Sequence, residues 1–326
     1  MKKRVGLFFG GMSNEHEVSI SSAVNVARNM DRAKYDLVLI FWGKDGCFYL
    51  ASSIEKSNPD KKIYPEDFNK YFNVAFPVTH GKYGEDGILQ AILEKEKIPY
   101  VGCHVLSSAL CMDKAIFKDL LAGHGIQQVR YTYVDFNLHD KSEQSARMKQ
   151  ASIFSLPLFV KPANSGSSVG ITKVDNFANL DQAIKTAKEH DSKVIIEEGL
   201  TNHRELEVAI LGNDQLELSP PGEIIVAGEF YDYDEKYKLG RTKTIIPAKL
   251  TSREGAEMKQ IAEKVYRLCG CSGFARVDFF LKKGIVYLSE INTLPGFTDI
   301  SMYPMLMQET GISYKELISR IIELAY

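Results

Sequence analysis

A chain of 326 residues, 44% hydrophobic and 25% charged, has the length for one large or two to three ordinary domains and the composition of a soluble globular enzyme. Lys+Arg number 40 against 42 Asp+Glu, a net charge of −2, which does not mark a nucleic-acid binder or a membrane-surface protein. Cys47, Cys103, Cys111, Cys269 and Cys271 form neither a paired framework nor a repeated CxxC pattern, so they read as small core residues in a reduced, cytoplasmic compartment.

The opening MKKRVGLFFGG is basic and then apolar, but the apolar run is too short for a signal peptide and ends in Gly10-Gly11. VGLFF (5–9) therefore reads as a buried strand and the glycines as a tight turn. No segment reaches the roughly 18 apolar residues of a membrane span, so no membrane insertion is expected. Ile20, Ala23, Val24 and Ala27 follow at helical spacing, YDLVLIFW (35–42) and NVAFPV (73–78) read as strands, and GILQAILEKEK (87–97) as an amphipathic helix after HGKYGEDG. This alternation predicts a parallel, Rossmann-like domain over 1–103. A second unit, 104–198, carries a helix at MDKAIFKDLLAGHG (112–125), strands at LPLFVKP (156–162) and ITKV around the loop SGSSVG (165–170), a helix at LDQAIKTAKEH, and a strand at KVIIEE (193–198). The third, 199–326, holds RELEVAIL, a tyrosine-rich polar stretch (229–240), a helix near 253–269, the two strands FARVDFF and SEIN, and a terminal helix (313–325). The expected class is α/β, becoming α+β in the C-terminal half, with no internal repeat.

Those last two strands hold the densest chemistry. Arg276 and Asp278 are two apart, as are Glu290 and Asn292, and residues i and i+2 of a strand share a face. Lys282-Lys283-Gly284 fits a three-residue turn with Gly at the positive-φ position. That register sets Asp278 opposite Leu288 and Arg276 opposite Glu290, with all four polar side chains on one face. A two-residue turn would slip the register and separate the pairs. Asp, Glu and Asn oxygens so gathered suit Mg²⁺, which takes few protein ligands plus substrate phosphates; a surface hairpin with a cross-strand Arg–Glu pair gives the same pattern. NTLPG then turns the chain and leaves N–H groups around Gly296 for an oxyanion.

Lys161, in VKPANSGSSVG, precedes a small-residue loop able to close over phosphates, although a solvated turn reads the same way and neither a Walker motif nor a GxGxxG fingerprint is present. Lys114 in CMDK fits a phosphate contact or an exposed helix lysine. Glu197-Glu198 ends a strand, either as acceptors for an adenine amino group and ribose or as an ordinary polar strand end.

Taken in order, GGMSNEHEVS, HGKYGEDGILQ, SSALCMDK, VKPANSGSSVGITKV, VIIEE, ELEVAILG, FYDYDEKY, GCSGFARVDFF and EINTLPGFT closely resemble the D-alanine–D-alanine ligases of the ATP-grasp superfamily, through essentially the whole chain. The resemblance implies a Rossmann-like domain followed by a two-lobed ATP-grasp fold, and an ATP-dependent ligation of two D-alanine molecules through a D-alanyl phosphate. It implies two Mg²⁺ ions (Mn²⁺ as an alternative) on Asp278, Glu290 and Asn292, and phosphate neutralisation by Lys114 and Lys161. The loop with Ser167 and Ser168 would cover the phosphates, and Lys236 would reach the transferred phosphoryl group. Arg276 and the Gly296 N–H would hold the tetrahedral intermediate. Glu197 would meet the adenine amino group with Glu198 beside it, Leu200 the ring through its backbone, and Glu205 the ribose. Glu15 would pair with the first D-alanine's ammonium and His80 would lie near its carboxylate, while Ser167 and Tyr237 would link the loops to Glu15 under a lid at 229–240. A homodimer is implied by the family alone.

For the second substrate, Ser301 and Met302 are the implied contacts. D-alanine–D-serine ligases tend to carry arginine at the Met302 position, so an apolar residue there suits D-alanine, while Asp299-Ile300 departs from the commoner GxTSHSxxP pattern. A non-catalytic nucleotide sensor would have lost a metal ligand or a phosphate lysine, and none is lost. A dinucleotide oxidoreductase lacks its glycine fingerprint.

Overall fold

The computed structural model of the chain describes residues 2–54, 60–138, 140–166, 169–225 and 243–326. Ser167, Ser168, Lys236, Tyr237 and the expected lid at 229–240 lie outside the described residues.

Three sheets organise the described residues. In the first, β1 (Lys3–Gly10) lies parallel to β2 (Tyr35–Trp42) and to β5 (Val74–Pro77). Both faces of β1 are covered, which is why it reads as a continuous apolar run. Phe8 packs edge-on against Phe48, Phe68 and Phe72, while Val5, Leu7 and Phe9 join Ala23 and Val26 of α1 (His16–Asn29) on the other side. The expectation of a wholly parallel sheet is corrected: β3 (Phe48–Ala51) and β4 (Lys61–Ile63) add two antiparallel strands, giving the order β4-β3-β2-β1-β5. At four and three residues they are too short for alternation to declare them. α2 (Phe68–Tyr71) and α3 (Ile88–Lys95) complete this part.

Next come α4 (Val105–Met112) and α5 (Lys114–Gly123). The helix expected over 112–125 is α5; α4 before it is an addition to that expectation, and the two are separate because Asp113 is extended and its carboxylate accepts the Ala115 and Ile116 N–H groups as an N-cap. The second sheet has the order β6 (Tyr131–Asp135), β9 (Lys193–Glu198), β7 (Leu158–Pro162), β8 (Thr172–Val174), all antiparallel. Leu158, Val160, Val194 and Ile196 face α6 (Lys141–Ala151) and α7 (Leu180–Lys188). By alternation Lys161, Lys193 and Glu197 take the other face, toward α5.

In the third sheet, β10 (Arg204–Leu211) pairs with a short β11 (Glu217–Leu218) and sits between β12 (Gly222–Ile225), edged by β13 (Lys243–Ile245), and the hairpin of β14 (Phe274–Lys282) and β15 (Ile285–Asn292). Its core face (Leu206, Val208, Ile210, Val277, Phe279) packs against Met258, Ala262, Val265 and Tyr266 of α8 (Ser252–Leu268), a helix started by a Thr251/Glu254 capping box. α9 (Met302–Glu309) and α10 (Tyr314–Glu323) close the chain, and their buried residues join the core behind β1. No helix among the described residues is long and apolar enough to cross a membrane.

The hairpin itself corrects the expected register. Lys282 pairs with Ile285, so the turn has two residues, Lys283 (φ 51) and Gly284 (φ 75), both in the left-handed region that such a turn requires. Leu288 opposes Phe279 on the core side, which would send Glu290 to the core as well. The register shifts between Asp278 and Phe279, leaving Ser289 as an extra residue on β15. Beyond this bulge Asp278 opposes Glu290 and Arg276 opposes Asn292. All four polar side chains reach one face, as expected, but through a bulge and not a longer turn.

Candidate functional site

The polar face of the third sheet forms one wall of a cleft. Glu15, His80, Lys114, Lys161, Glu205, Arg276, Asp278, Glu290, Asn292, Gly296, Ser301 and Met302 all line it, although they come from all three sheets and their connecting loops. Lys114 stands at the start of α5 and Lys161 near the end of β7, so the cleft separates two lysines from the acidic strands. The gap is narrow at one point: Lys114 Nζ lies 3.9 Å from Glu290 Oε2 and donates to the Ser165 carbonyl at 2.8 Å.

On the acidic wall Arg276 is held from two sides. Its Nε and Nη2 donate to Asp278 at 2.8 and 2.7 Å, and Glu207 Oε2 lies 3.0 Å from its Nε. Burial works against the charge, but the two carboxylates outweigh it and raise the guanidinium's pKa further, so Arg276 stays charged. Asn292 Nδ2 donates to Asp278 Oδ2 at 2.9 Å, which leaves the Asn292 carbonyl oxygen for another partner. Asp278, Glu290 and Asn292 thus offer hard oxygens on neighbouring positions. Among the described residues no group of three or more His, Cys, Asp or Glu could cage a metal alone. This donor set fits Mg²⁺, which completes its shell with water and phosphate oxygens, better than a metal that needs a protein cage.

At the other end, the Glu15 carboxylate sits against backbone. A Cβ on Gly166 would come 2.8 Å from Glu15 Oε2, and one on Gly81 would collide with the same oxygen. Glycine at both positions lets the backbone at Gly81 and at Gly166 approach one carboxylate. His80 is buried, and burial lowers its pKa to about 4, so the ring is neutral. The Leu294 carbonyl can only accept, so Nδ1 carries the proton and donates to it at 3.0 Å. Ser22 Oγ then donates to Nε2 at 2.9 Å while accepting the Phe297 N–H at 3.2 Å. Both ring nitrogens are engaged by the protein, and the ring clamps the 294–297 turn onto the first sheet. The Gly296 N–H in that turn makes no hydrogen bond among the described residues.

The clamp predicts a pH signature. A histidine kept neutral by folding contributes stability that is present above its unfolded pKa, near 6.5, and lost as pH falls toward 4. Up to about 3 kcal/mol is at stake. Urea unfolding at several pH values should show this slope in the native protein and a flatter one in His80→Gln; equal slopes would remove the clamp. The native-minus-variant difference is the quantity to read, because Glu85 acts with the opposite sign. Burial and then the Glu15 carboxylate push the Glu85 carboxyl well up.

Three expected residues do not line the cleft. Glu197 lies beneath Lys161, at 2.8 Å from its Nζ and 3.2 Å from Lys118 Nζ. Glu198 is taken by Arg130 Nε, and the Leu200 carbonyl accepts from His203 Nδ1 at 2.7 Å. Three residues not singled out from the sequence now stand in or under the site: Glu85, Glu207 and Lys118. Each had a signal. Glu85 lies in HGKYGEDG, Glu207 alternates with Glu205 as Asp278 does with Arg276, and Lys118 follows Lys114 by one helical turn.

Comparison with known proteins agrees with this layout. The family model described as "D-ala D-ala ligase N-terminus" matches residues 4–103 and that described as "D-ala D-ala ligase C-terminus" matches 120–323. A D-alanine–D-alanine ligase of Caldicellulosiruptor bescii is 44% identical over 99% of this chain and 95% of its own length. One from Clostridium acetobutylicum is 43% identical, covering 100% and 98%. Among solved structures, the VanG D-Ala:D-Ser ligase of Enterococcus faecalis superposes with a TM-score of 0.88 at 36% identity over 100% of both chains. The D-alanine–D-alanine ligase of Coxiella burnetii gives 0.83 at 32%, covering 99% of this chain and 94% of that one.

Proposed function

Because the chain belongs to the family of D-alanine–D-alanine ligases, we propose that its cleft joins two D-alanine molecules at the expense of ATP, for peptidoglycan precursor synthesis in the cytoplasm. The observation that carries this reading is one wall bearing Arg276, Asp278, Glu290 and Asn292 facing Lys114 and Lys161 across a single cleft.

In the first step the carboxylate of one D-alanine attacks the γ-phosphorus of ATP and ADP leaves. In the second, the amine of another D-alanine attacks the resulting acyl phosphate at carbon, loses a proton, and phosphate departs. Glu15 pairs with the first substrate's ammonium, and the neutral His80 holds the 294–297 turn in register. Lys114 and Lys161 offset phosphate charge. Arg276 and the Gly296 N–H face the oxygen that becomes anionic in the tetrahedral intermediate, where preformed donors act most strongly. Mg²⁺ (or Mn²⁺) on Asp278, Glu290 and Asn292 supplies charge neutralisation for the ATP phosphates. Glu205, in the cleft, is assigned to the ribose, and Glu197, Glu198 and Leu200, which do not line the cleft itself, to the adenine end beneath Lys161. Ser167, Ser168, Lys236 and Tyr237 are assigned to covering the phosphates and closing over Glu15, so that water is kept from the acyl phosphate. The same reading divides the chain at 103 and 198 and pairs it as a homodimer.

Incubation with ATP, MgCl₂ and D-alanine should release phosphate and form the dipeptide by mass; no turnover would overturn the reading. A D-alanine–D-serine ligase is the second reading, favoured by the overlap with the Enterococcus enzyme. Buried Met302 argues for a methyl group. With equimolar D-alanine and D-serine we expect D-alanyl-D-alanine to dominate.

A further inference from the structure

The buried group beneath Lys161 is larger than the reaction as described requires. Lys118 and Glu197 both stand nine-tenths or more out of water, their side chains 3% and 9% exposed. Lys118 projects from α5 onto the face of the second sheet that carries Lys161. Its Nζ sits 5.5 Å over the Tyr131 ring and donates to Gln128 Oε1 at 3.4 Å, while Gln128 Nε2 donates back to the Lys118 carbonyl at 2.8 Å. The lysine is therefore held in place, not merely extended toward a carboxylate.

Glu197 receives Lys161 on Oε2 at 2.8 Å and faces Lys118 with Oε1 at 3.2 Å. Oε1 nevertheless makes no well-directed hydrogen bond among the described residues. A carboxylate between two ammonium groups is an acceptor only, and its remaining lone pairs await a donor. Burial opposes the charge, yet the two lysines hold the Glu197 carboxyl at about 2. The same burial pushes the Lys118 ammonium down, and Glu197 resists it.

We propose that Lys118 is a positioning residue that sets nucleobase preference, by fixing Glu197 as a charged, acceptor-only group that takes a 6-aminopurine and rejects a 6-oxopurine. This rests on the assignment of Glu197 to the adenine amino group. A protonated or reoriented Glu197 would offer an O–H to the 6-oxo group, and the distinction would fade. A site with a fixed buried acceptor pays a large penalty when the ligand presents another acceptor to it.

ATP and ITP differ at this position of the ring, so their kcat/KM ratio in the phosphate-release assay with D-alanine and MgCl₂ reads the effect. The native protein should favour ATP by about 100-fold or more. Lys118→Met should lower that ratio at least tenfold, mostly through KM for ATP, and Lys118→Arg should restore it. Glu197→Gln, which can donate, should lower it further. If Glu197→Gln shifts the ratio and Lys118→Met does not, the inference fails while the adenine assignment stands. If neither shifts it, the base does not meet Glu197 and both fall. Should Lys118→Met not fold, as judged by thermal melting, Lys118→Gln keeps a donor without the charge and replaces it in the comparison with Lys118→Arg.

Discussion

Arg276→Ala is expected to lower kcat by about 10²–10³-fold, the loss that follows removal of one preformed donor to a developing oxyanion. The substitution also has a structural cost. Arg276 is flanked by Glu207 at 3.0 Å and by Asp278 at 2.7 Å, and removing the cation leaves two carboxylates facing each other in a buried place. Breaking a buried ion pair from one side costs about 3–5 kcal/mol, so the melting temperature should fall as well. Turnover must therefore be measured well below the variant's own melting point. Arg276→Lys separates the two effects: it returns a charge to the carboxylates but not the planar fork. It should recover most of the stability and little of the rate. A kcat for Arg276→Ala within a few-fold of native, in folded protein, would remove Arg276 from the chemistry.

Gly84→Ala is expected to destabilise the protein by about 3 kcal/mol or more, at the upper end of what overpacking does. A Cβ at Gly84 would run into the Thr79 carbonyl and into the Thr79 side-chain oxygen. Backbone meets backbone there, so no side-chain rotation relieves it. Opening the turn would displace Thr79 and its neighbour His80 on one side and Glu85 on the other, and the cleft would lose its Glu15 end. Gly123→Ala is the control, because nothing lies within 4 Å of the added carbon. It should be neutral or slightly stabilising, by up to about 1 kcal/mol. Thermal melts of the two variants by circular dichroism decide the matter; a Gly84→Ala protein that melts with the native one refutes the clash.

What could be read in advance follows from the range of the interactions involved. Alternation in FARVDFF and SEIN exposes the polar pairs because side-chain direction in a strand is local. The turn between them could not be read, since Lys283 carries its left-handed φ with no glycine to announce it and the bulge is visible only once two strands are paired. α5 was legible in MDKAIFKDLLAGHG and its glycine stop, whereas α4 before it starts at His104 without a side-chain cap and so without a start signal in the sequence. Glu207 shows the same alternation as Asp278, but its value lies in a partner 69 positions away. Lys118 and Glu197 lie on different elements, and no local pattern joins them. The family resemblance, carried by ordered motifs along the chain, filled in roles that spacing alone left open.

The extra residue at Ser289 makes the acidic wall depend on a count. Asp278 and Glu290 face the same way only because a turn of two residues and one unpaired residue together separate their strands. With the turn held at two residues, inserting or deleting a single residue within either strand between them would carry Glu290 and Asn292 through the sheet to the side of α8. A two-residue change in the turn would leave them in place. At fixed turn length the strands should thus accept length changes in natural or engineered variants by parity: even changes with the face kept, odd ones only when the bulge is gained or lost in the same step.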